Sequence, residues 1–288
     1  MAGRVDVRKT YKLYIGGAFP RSESGRTYVV SDHREGFLAN AAMASRKDAR
    51  DAVVAARKAF GGWADRTAYN RGQILYRVAE ILEGRRDQLT DEIAAAEGLT
   101  TRKAAAEVDA AVDRWVWYAG WTDKLTQVMG GANPVAGPYF NLTSPEPTGI
   151  VAVAAPQDSS LLGLVSVMAP AIACGNVVVV VAAQERPIPA ITLSEILHTS
   201  DVPGGVVNIL TGVTAELMPV LAAHMDVNAV DLAGVASEDL VDLEIAAADS
   251  TKRIIARPQA EDSWHTAPGL QRLRKSMELK TVWHPIGT

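Results

Sequence analysis

The sequence predicts an α/β protein organised around a doubly wound parallel sheet, and three observations lead there. Helical spacing of apolar residues dominates the first half of the chain, strand-length apolar runs separated by helix-length segments fill the second, and one run, "VVVVV" at Val177 to Val181, has no polar face. A strand covered by helices on both faces reads as an unbroken apolar run, whereas a half-solvated strand alternates. Strands and helices in this alternation form a parallel sheet with right-handed crossovers.

From the N-terminus, "KLYIGGAFPRSESG" predicts a short hairpin with Gly16 and Gly17 in its turn. N-terminal helices follow. Ala49, Ala52, Val53, Ala56 and Phe60 share one helical face, and Ile74, Leu75, Val78 and Leu82 share another. A third helix over 104–121 carries Val108, Val112, Trp115 and Tyr118 at helical spacing beside Trp117 and Trp121, and aromatics so spaced read as core. "GGANPVAGPYFNLTSPEP" has the Gly, Asn and Pro of a connection, yet its "YFNLTS" can form a strand, so an arm is predicted.

Beyond the arm the predicted strands are 150–155, 177–182, 206–210, 227–232 and 253–256, with helices at 161–173, 188–197, 214–224 and 237–248. The last segment, "GLQRLRKSMELKTVWHPIGT", sets a basic stretch before "LKTVWH", which alternates like an exposed strand. Such a strand needs an edge to pair with, and another subunit can supply one.

Lys and Arg total 29 against 33 Asp and Glu, a formal charge of -4, so there is no electrostatic case for nucleic acid or an acidic membrane. A small-molecule or protein partner fits better. Cys174 is the sole cysteine, which excludes an internal disulfide and a cysteine metal cluster and makes the cytoplasm the expected location. "MAGRVDVRKTYKLYIGG" lacks the apolar core of a signal peptide. Residues 161–183 carry no charge and are long enough to span a membrane, but Pro170, Gly175 and Asn176 divide them into a helix and a strand.

The segments "KLYIGGAFPRSESGRTY", "DAVVAARKAFGGWADRTAYNRGQILYRVAEILEGRRDQL", "PTGIVAVAAP", "MAPAIACGNVVVV", "VPGGVVNILTG" and "KTVWHP" together resemble, in order and spacing, the NAD(P)-dependent aldehyde dehydrogenases. The resemblance covers nearly the whole chain. It implies a Rossmann-like domain of the NAD(P)-binding type at 1–136 and 149–262, with a small β oligomerisation arm at 137–148 and 268–288 whose strands are 139–144 and 279–284. It also implies a gap, because a complete member inserts a catalytic domain with its cysteine nucleophile where "KRIIARPQAEDSWHTAPGLQRL" here runs almost directly to the last strand. The catalytic domain is therefore expected to be absent, which makes the chain similar to the second, non-catalytic unit of class 16 aldehyde dehydrogenases.

Set against that family, the positions that carry chemistry have changed. After Pro156 the family's Trp-Asn pair is Gln157 and Asp158; the Asn amide stabilises an oxyanion, and losing such a donor costs roughly 3 kcal/mol of transition-state stabilisation. Val181 stands for a Lys that reaches the cofactor ribose, and Gln184 for a Glu. In "DLAGVASEDL" Gly234 remains, but the following Ser is Val235 and a second-turn Gly is Asp239. A pyrophosphate at a helix N-terminus wants free N–H groups and no nearby anion, so Glu238 and Asp239 are expected to satisfy the helix dipole themselves. Arg257 replaces a carboxylate.

Pro156, Asp158, Gly212 and Gly234 thus read as vestiges of a cofactor site, with Asp158 as a helix N-cap and the two glycines kept for tight turns. No catalytic residue, metal or resident NAD is expected. Cys174 reads as a small buried hydrophobe, and His33, His198, His224, His265 and His284 show no metal-ligand spacing. The expected function is that of a catalytically inactive structural or regulatory subunit, partnered by a full-length aldehyde dehydrogenase paralogue or by itself. Tyr139, Asn141, Thr143, Lys280, Val282 and Trp283 are its expected interface, with Trp283 as the anchor of a β-augmentation. Two alternatives are a sensor that binds NAD(P)(H) or another adenine nucleotide without turnover, and an oxidoreductase, converting aldehyde to acid, with a rearranged site.

Overall fold

Chain entry is set by two glycines. Gly16 and Gly17 have φ of 63° and 83°, which L side chains rarely adopt, and Ile15 and Ala18 exchange both N–H···O bonds across the turn at 3.0 Å. The expected hairpin exists, but its ladder is a single bridge because Tyr14 pairs instead with Ile209 of the central sheet. A Cβ on Gly17 would lie 2.8 Å from the Gly204 Cα, so the close approach of the two backbones requires glycine there. The computed structural model describes residues 8–257 and 264–287.

An outer sheet of β1 (Thr10–Tyr11), β2 (Thr27–Ser31) and β3 (Phe37–Ala42) leads into α1 (Arg46–Ala64). Ser45 and Asp48 start that helix as a reciprocal capping box, which satisfies two otherwise orphaned N–H groups. Helices α2 (Ala68–Gly84), α3 (Arg86–Glu97) and α4 (Thr101–Trp121) follow. Thr67 caps α2 and Thr100 caps α4. Helix α3, which the apolar pattern did not single out, ends at Gly98 in the left-handed conformation. Trp115 and Tyr118 of α4 are buried as predicted.

After α5 (Leu125–Met129), strands β4 (Gly131–Ala132) and β5 (Tyr139–Pro147) form the arm. The central sheet then forms from β6 (Ile150–Ala154), β7 (Val177–Val181), β8 (Val207–Leu210), β9 (Ala229–Asp231) and β10 (Arg253–Ala256). Its order is β10-β9-β6-β7-β8, and every pairing is parallel. The crossovers are α6 (Leu162–Ala173), α7 (Ile188–His198), α8 (Thr214–Ala223) and α9 (Leu240–Ala248). All residues of β6 and β7 are buried, and so is every residue of α6, which is what a helix apolar all round requires. The uncharged stretch 161–183 therefore forms the interior of a sheet domain, and no helix among the described residues is long and apolar enough to cross a membrane.

Helix α10 (Leu270–Lys275) and β11 (Met277–Pro285) close the chain. Strand β11 pairs antiparallel with β5 from Met277↔Pro147 to Pro285↔Tyr139; β11 is longer at both ends than predicted, and β5 starts where predicted and runs on to Pro147. Its partner edge thus comes from the same chain. Asn176, fully buried, ties this arm to the body by donating to Ala171 O and Ser276 O and accepting from Gly149 N.

Candidate functional site: the crevice at the sheet's carboxyl end

The strand order reverses between β6 and β9, and in doubly wound sheets the crevice outside the carboxyl ends of strands at such a point is where ligands bind. A cavity of about 390 Å³ lies there, lined among others by Gln157, Asp158, Gln184, Thr214, Gly234 and Trp264. The turn after β6 thus faces the turns after β7 and β9, and the sequence-predicted vestiges Asp158 and Gly234 meet in one place. Gly212 does not line the cavity. With φ of 141° and a hypothetical Cβ 3.2 Å from Ala44 N, it serves the turn after β8.

Gln157, Asp158, Trp264 and Arg257 in this crevice are engaged by the protein itself. Gln157 Nε2 donates to Ala155 O at 2.8 Å while its Oε1 accepts from Gln184 N at 2.9 Å, so one amide latches the β6 exit to the β7 exit. Asp158 Oδ1 accepts from the Trp264 indole N–H at 3.1 Å. This corrects the reading of Asp158 as a helix cap. Helix α6 begins at Leu162 with Leu161 at the N-cap, and Asp158 lies too far upstream to reach the first-turn N–H groups.

Capping falls instead to Ser159 and to carboxylates from two other helices. Ser159 Oγ accepts from Gly163 N at 2.8 Å and donates to Glu107 Oε1 at 2.8 Å, and the same carboxylate oxygen accepts from Leu162 N at 3.3 Å. Ser160 directs both N–H and hydroxyl to Glu97 Oε1, at 2.8 and 2.6 Å. Two carboxylates at one helix N-terminus satisfy its donors and its dipole. Burial and the neighbouring Glu97 charge push the Glu107 carboxyl up to about 7.

The turn after β9 is equally filled. A Cβ on Gly234 would sit 1.8 Å from Ala155 O, so glycine is required there by the approach of two turns. Helix α9 starts at Leu240, later than the predicted 237, with Asp239 at the N-cap making no side-chain cap bond. Arg257, next to the cavity, is held by Glu244 of α9, with Nη2 to Oε2 at 2.9 Å. Val181 is fully buried and offers no donor.

This lining is unfavourable for the pyrophosphate of a dinucleotide. Asp158 and Asp239 present carboxylates where a pyrophosphate wants cations or bare N–H groups, the guanidinium of Arg257 is already paired, and the Gly234 approach is occupied by Ala155 O. Among the described lining residues one buried side-chain oxygen lacks a partner, Thr214 Oγ1. The sole cysteine of the sequence, Cys174, is buried at the far end of α6, as its C-cap, with Sγ 3.6 Å from Leu273 O, and burial pushes its thiol up, away from thiolate. Of the histidines, His198 packs edge-on against Tyr14 and Phe19 and His33 Nδ1 sits 3.1 Å from Ala95 O. Among the described residues no group of His, Cys, Asp or Glu is arranged to hold a metal ion.

Three contacts of the segment after β10 were not foreseen. Besides Trp264–Asp158, Arg272 of α10 pairs with Asp231 of β9, which is 1% exposed, and Arg114 of α4 donates to Trp264 O and Thr266 O at 2.8 and 2.9 Å. Arg272 also stacks over the Trp264 ring at 5.7 Å. A charged residue inside an apolar strand, Asp231 in "NAVDLAG", was the local sign of such a partner.

Comparison with known proteins agrees with this architecture. Residues 19–257 match the model of the aldehyde dehydrogenase family. The mitochondrial benzaldehyde dehydrogenase of Antirrhinum majus is 34% identical over 251 residues, covering 84% of this chain and 46% of that protein. The putative aldehyde dehydrogenase DhaS of Bacillus subtilis (strain 168) is 32% identical, covering 86% of this chain and 50% of that protein. Among solved structures, the NAD+ complex of an aldehyde dehydrogenase from Bacillus cereus superposes with a TM-score of 0.81 at 28% identity, over 85% of this chain and 50% of that one. HpcC from Thermus thermophilus gives a TM-score of 0.82 at 30% identity, over 87% and 48%. The chain belongs to the aldehyde dehydrogenase family, and it spans about half the length of the relatives it matches.

Proposed function

We propose that this aldehyde dehydrogenase family member does not catalyse aldehyde oxidation, and serves as a structural or regulatory subunit that docks on a full-length aldehyde dehydrogenase or on a second copy of itself. The observation that carries the reading is the state of the crevice. Gln157 and Asp158 are hydrogen-bonded to Ala155, Gln184 and Trp264, and the sole cysteine is a buried, protonated thiol at the far end of α6. Thiolate addition to an aldehyde, which gives a thiohemiacetal oxyanion, needs an accessible thiolate and donors aimed at that oxygen, and the residues at these positions supply neither. Only residues 257–269 separate β10 from α10, and the described part of that span is held down by Arg114 and Arg272.

The arm supports the other half of the reading. Strand β11 is the edge of its three-stranded sheet, so one row of its backbone N–H and C=O groups is free for a further strand. Leu279, Val282 and Trp283 are 62%, 50% and 59% exposed. Tyr139 stacks edge-on against Trp283 at 5.8 Å, which fixes the indole before any partner arrives. Thr143 pairs across the strands with Thr281 at 2.9 Å, and Lys280 with Glu146 at 3.1 Å. Asn141 corrects the expected interface: it is 5% exposed, and its Oδ1 accepts from Asn133 at 2.6 Å, so it braces the arm from within.

Purified chain supplied with aldehyde and NAD+ is expected to form no NADH, and Asp158→Asn is expected to change nothing, because no thiolate reaches the crevice. Aldehyde-dependent NADH formation by the chain alone, free of any full-length enzyme, overturns the non-catalytic reading. The partnerless Thr214 Oγ1 in the crevice favours one second reading, a nucleotide sensor without turnover. Calorimetric titration with NAD(P)(H) separates the two, since micromolar binding belongs to the sensor alone.

A further inference from the structure

We propose that a second cavity, between α4, α6 and α10, binds a small organic carboxylate with an apolar body. The cavity measures about 410 Å³, and among the described residues its lining includes four cations, Arg114, Arg257, Arg272 and Lys275, and no Asp or Glu. Two of the four are neutralised from behind, Arg257 by Glu244 and Arg272 by Asp231. Arg114 and Lys275 have no carboxylate partner among the described residues.

Arg114 is the unusual one. It is 7% exposed, and among the described residues its guanidinium donates to neutral oxygens only, Ser166 Oγ at 2.8 Å and the two carbonyls of Trp264 and Thr266. Burying a guanidinium without an anion is unfavourable unless something compensates its charge. A carboxylate from solution is a suitable counter-ion, since it matches guanidinium geometry and gains strength from the charge. The Tyr118 hydroxyl lines the same wall, in the field of Arg114 and Arg272, and makes no hydrogen bond with the described residues. It is a second donor in reserve for the anion.

The remaining wall sets the rest of the ligand. Ile255, Ala267, Pro268 and Trp264 line the cavity beside its polar groups, so the body attached to the carboxylate has apolar and aromatic surface to meet. An aryl or branched aliphatic carboxylate satisfies both ends, whereas a neutral alcohol leaves the cations unpaired and inorganic phosphate leaves the apolar wall wet. The reading holds whether or not the chain docks on an aldehyde dehydrogenase.

The test is calorimetric titration of the whole chain with benzoate, benzyl alcohol and inorganic phosphate at one fixed ionic strength. Benzoate is expected to bind about tenfold or more tightly than phosphate, with no measurable binding of benzyl alcohol. Lys275→Gln, an exposed position whose loss leaves the fold intact, and Tyr118→Phe, which removes only the hydroxyl, are each expected to weaken benzoate by about three- to tenfold. No benzoate binding at millimolar concentration, equal binding of benzyl alcohol, phosphate binding more tightly than benzoate, or benzoate binding that ignores both substitutions overturns the proposal.

Discussion

At the carboxyl end of the parallel sheet, polar side chains bond inward, to other turns of the same chain; along β11, apolar side chains and backbone groups face outward. Gln157, Asp158, Ser159 and Ser160 all have protein partners, while Leu279, Val282 and Trp283 are half or more exposed. A group already satisfied within the fold has little to offer a ligand, because any new bond replaces an existing one. An exposed aromatic beside a free strand edge gains by being covered. The contrast is between a crevice whose side chains are bonded within the fold and an arm whose outer strand exposes apolar side chains.

The largest expected effect lies on the inward side. Asp231→Ala leaves Arg272 of α10 without its carboxylate and is expected to cost about 3–5 kcal/mol in urea unfolding. A loss below about 1 kcal/mol breaks the view that α10 is locked to the sheet by this pair. On the outward side, Trp283→Ala is expected to weaken association by about 2–4 kcal/mol, read by sedimentation over a concentration series. Protomer stability should stay within about 0.5 kcal/mol of the parent, as for a surface substitution. If instead the protomer unfolds more easily and association is unchanged, Trp283 belongs to the fold and the contrast fails.

Glu107 sharpens the inward side through pH. Its folded-state pKa is raised from 4.5 to about 7 by burial and by Glu97, so the native state holds a proton that the unfolded chain releases. Its contribution is therefore favourable below about 4.5 and is lost as pH rises through about 7. Glu107→Gln keeps an acceptor for Ser159 and Leu162. The stability of the variant relative to the parent is expected to rise between these two pH values, by on the order of 2–3 kcal/mol, and to be flat outside them. A difference that does not change with pH contradicts the assigned environment. Smallest is Gln157→Ala, which unlatches β6 from β7 at an expected cost of about 1 kcal/mol, with no gain of NAD+ binding by calorimetry.

How much of this was legible in the sequence depended on how local its cause is. Strands β6 and β7 and helix α6 were readable because burial on every side leaves an unbroken apolar run. The arm strands were readable from alternation and were only extended by pairing, which lengthens a strand as far as its neighbour runs. Helix α3 was not, since its apolar positions Leu89, Ile93 and Ala96 are spaced thinly between charges. In the crevice, the changed residues were legible and their contacts were not. Asp158 looks like a cap until the helix is seen to start at Leu162, and its actual partner, Trp264, is 106 residues away. Asn141 looks exposed by alternation until Asn133 folds across it.

The central claim is that the open arm exists to be covered by a partner, and mass measurement by size-exclusion chromatography with light scattering tests it most directly. The chain is run alone, mixed with a full-length aldehyde dehydrogenase, and again as Trp283→Ala. The account predicts an assembly of fixed stoichiometry, with a second copy or with the enzyme, that the substitution weakens or abolishes. A stable monomer in every mixture, with or without Trp283, contradicts it.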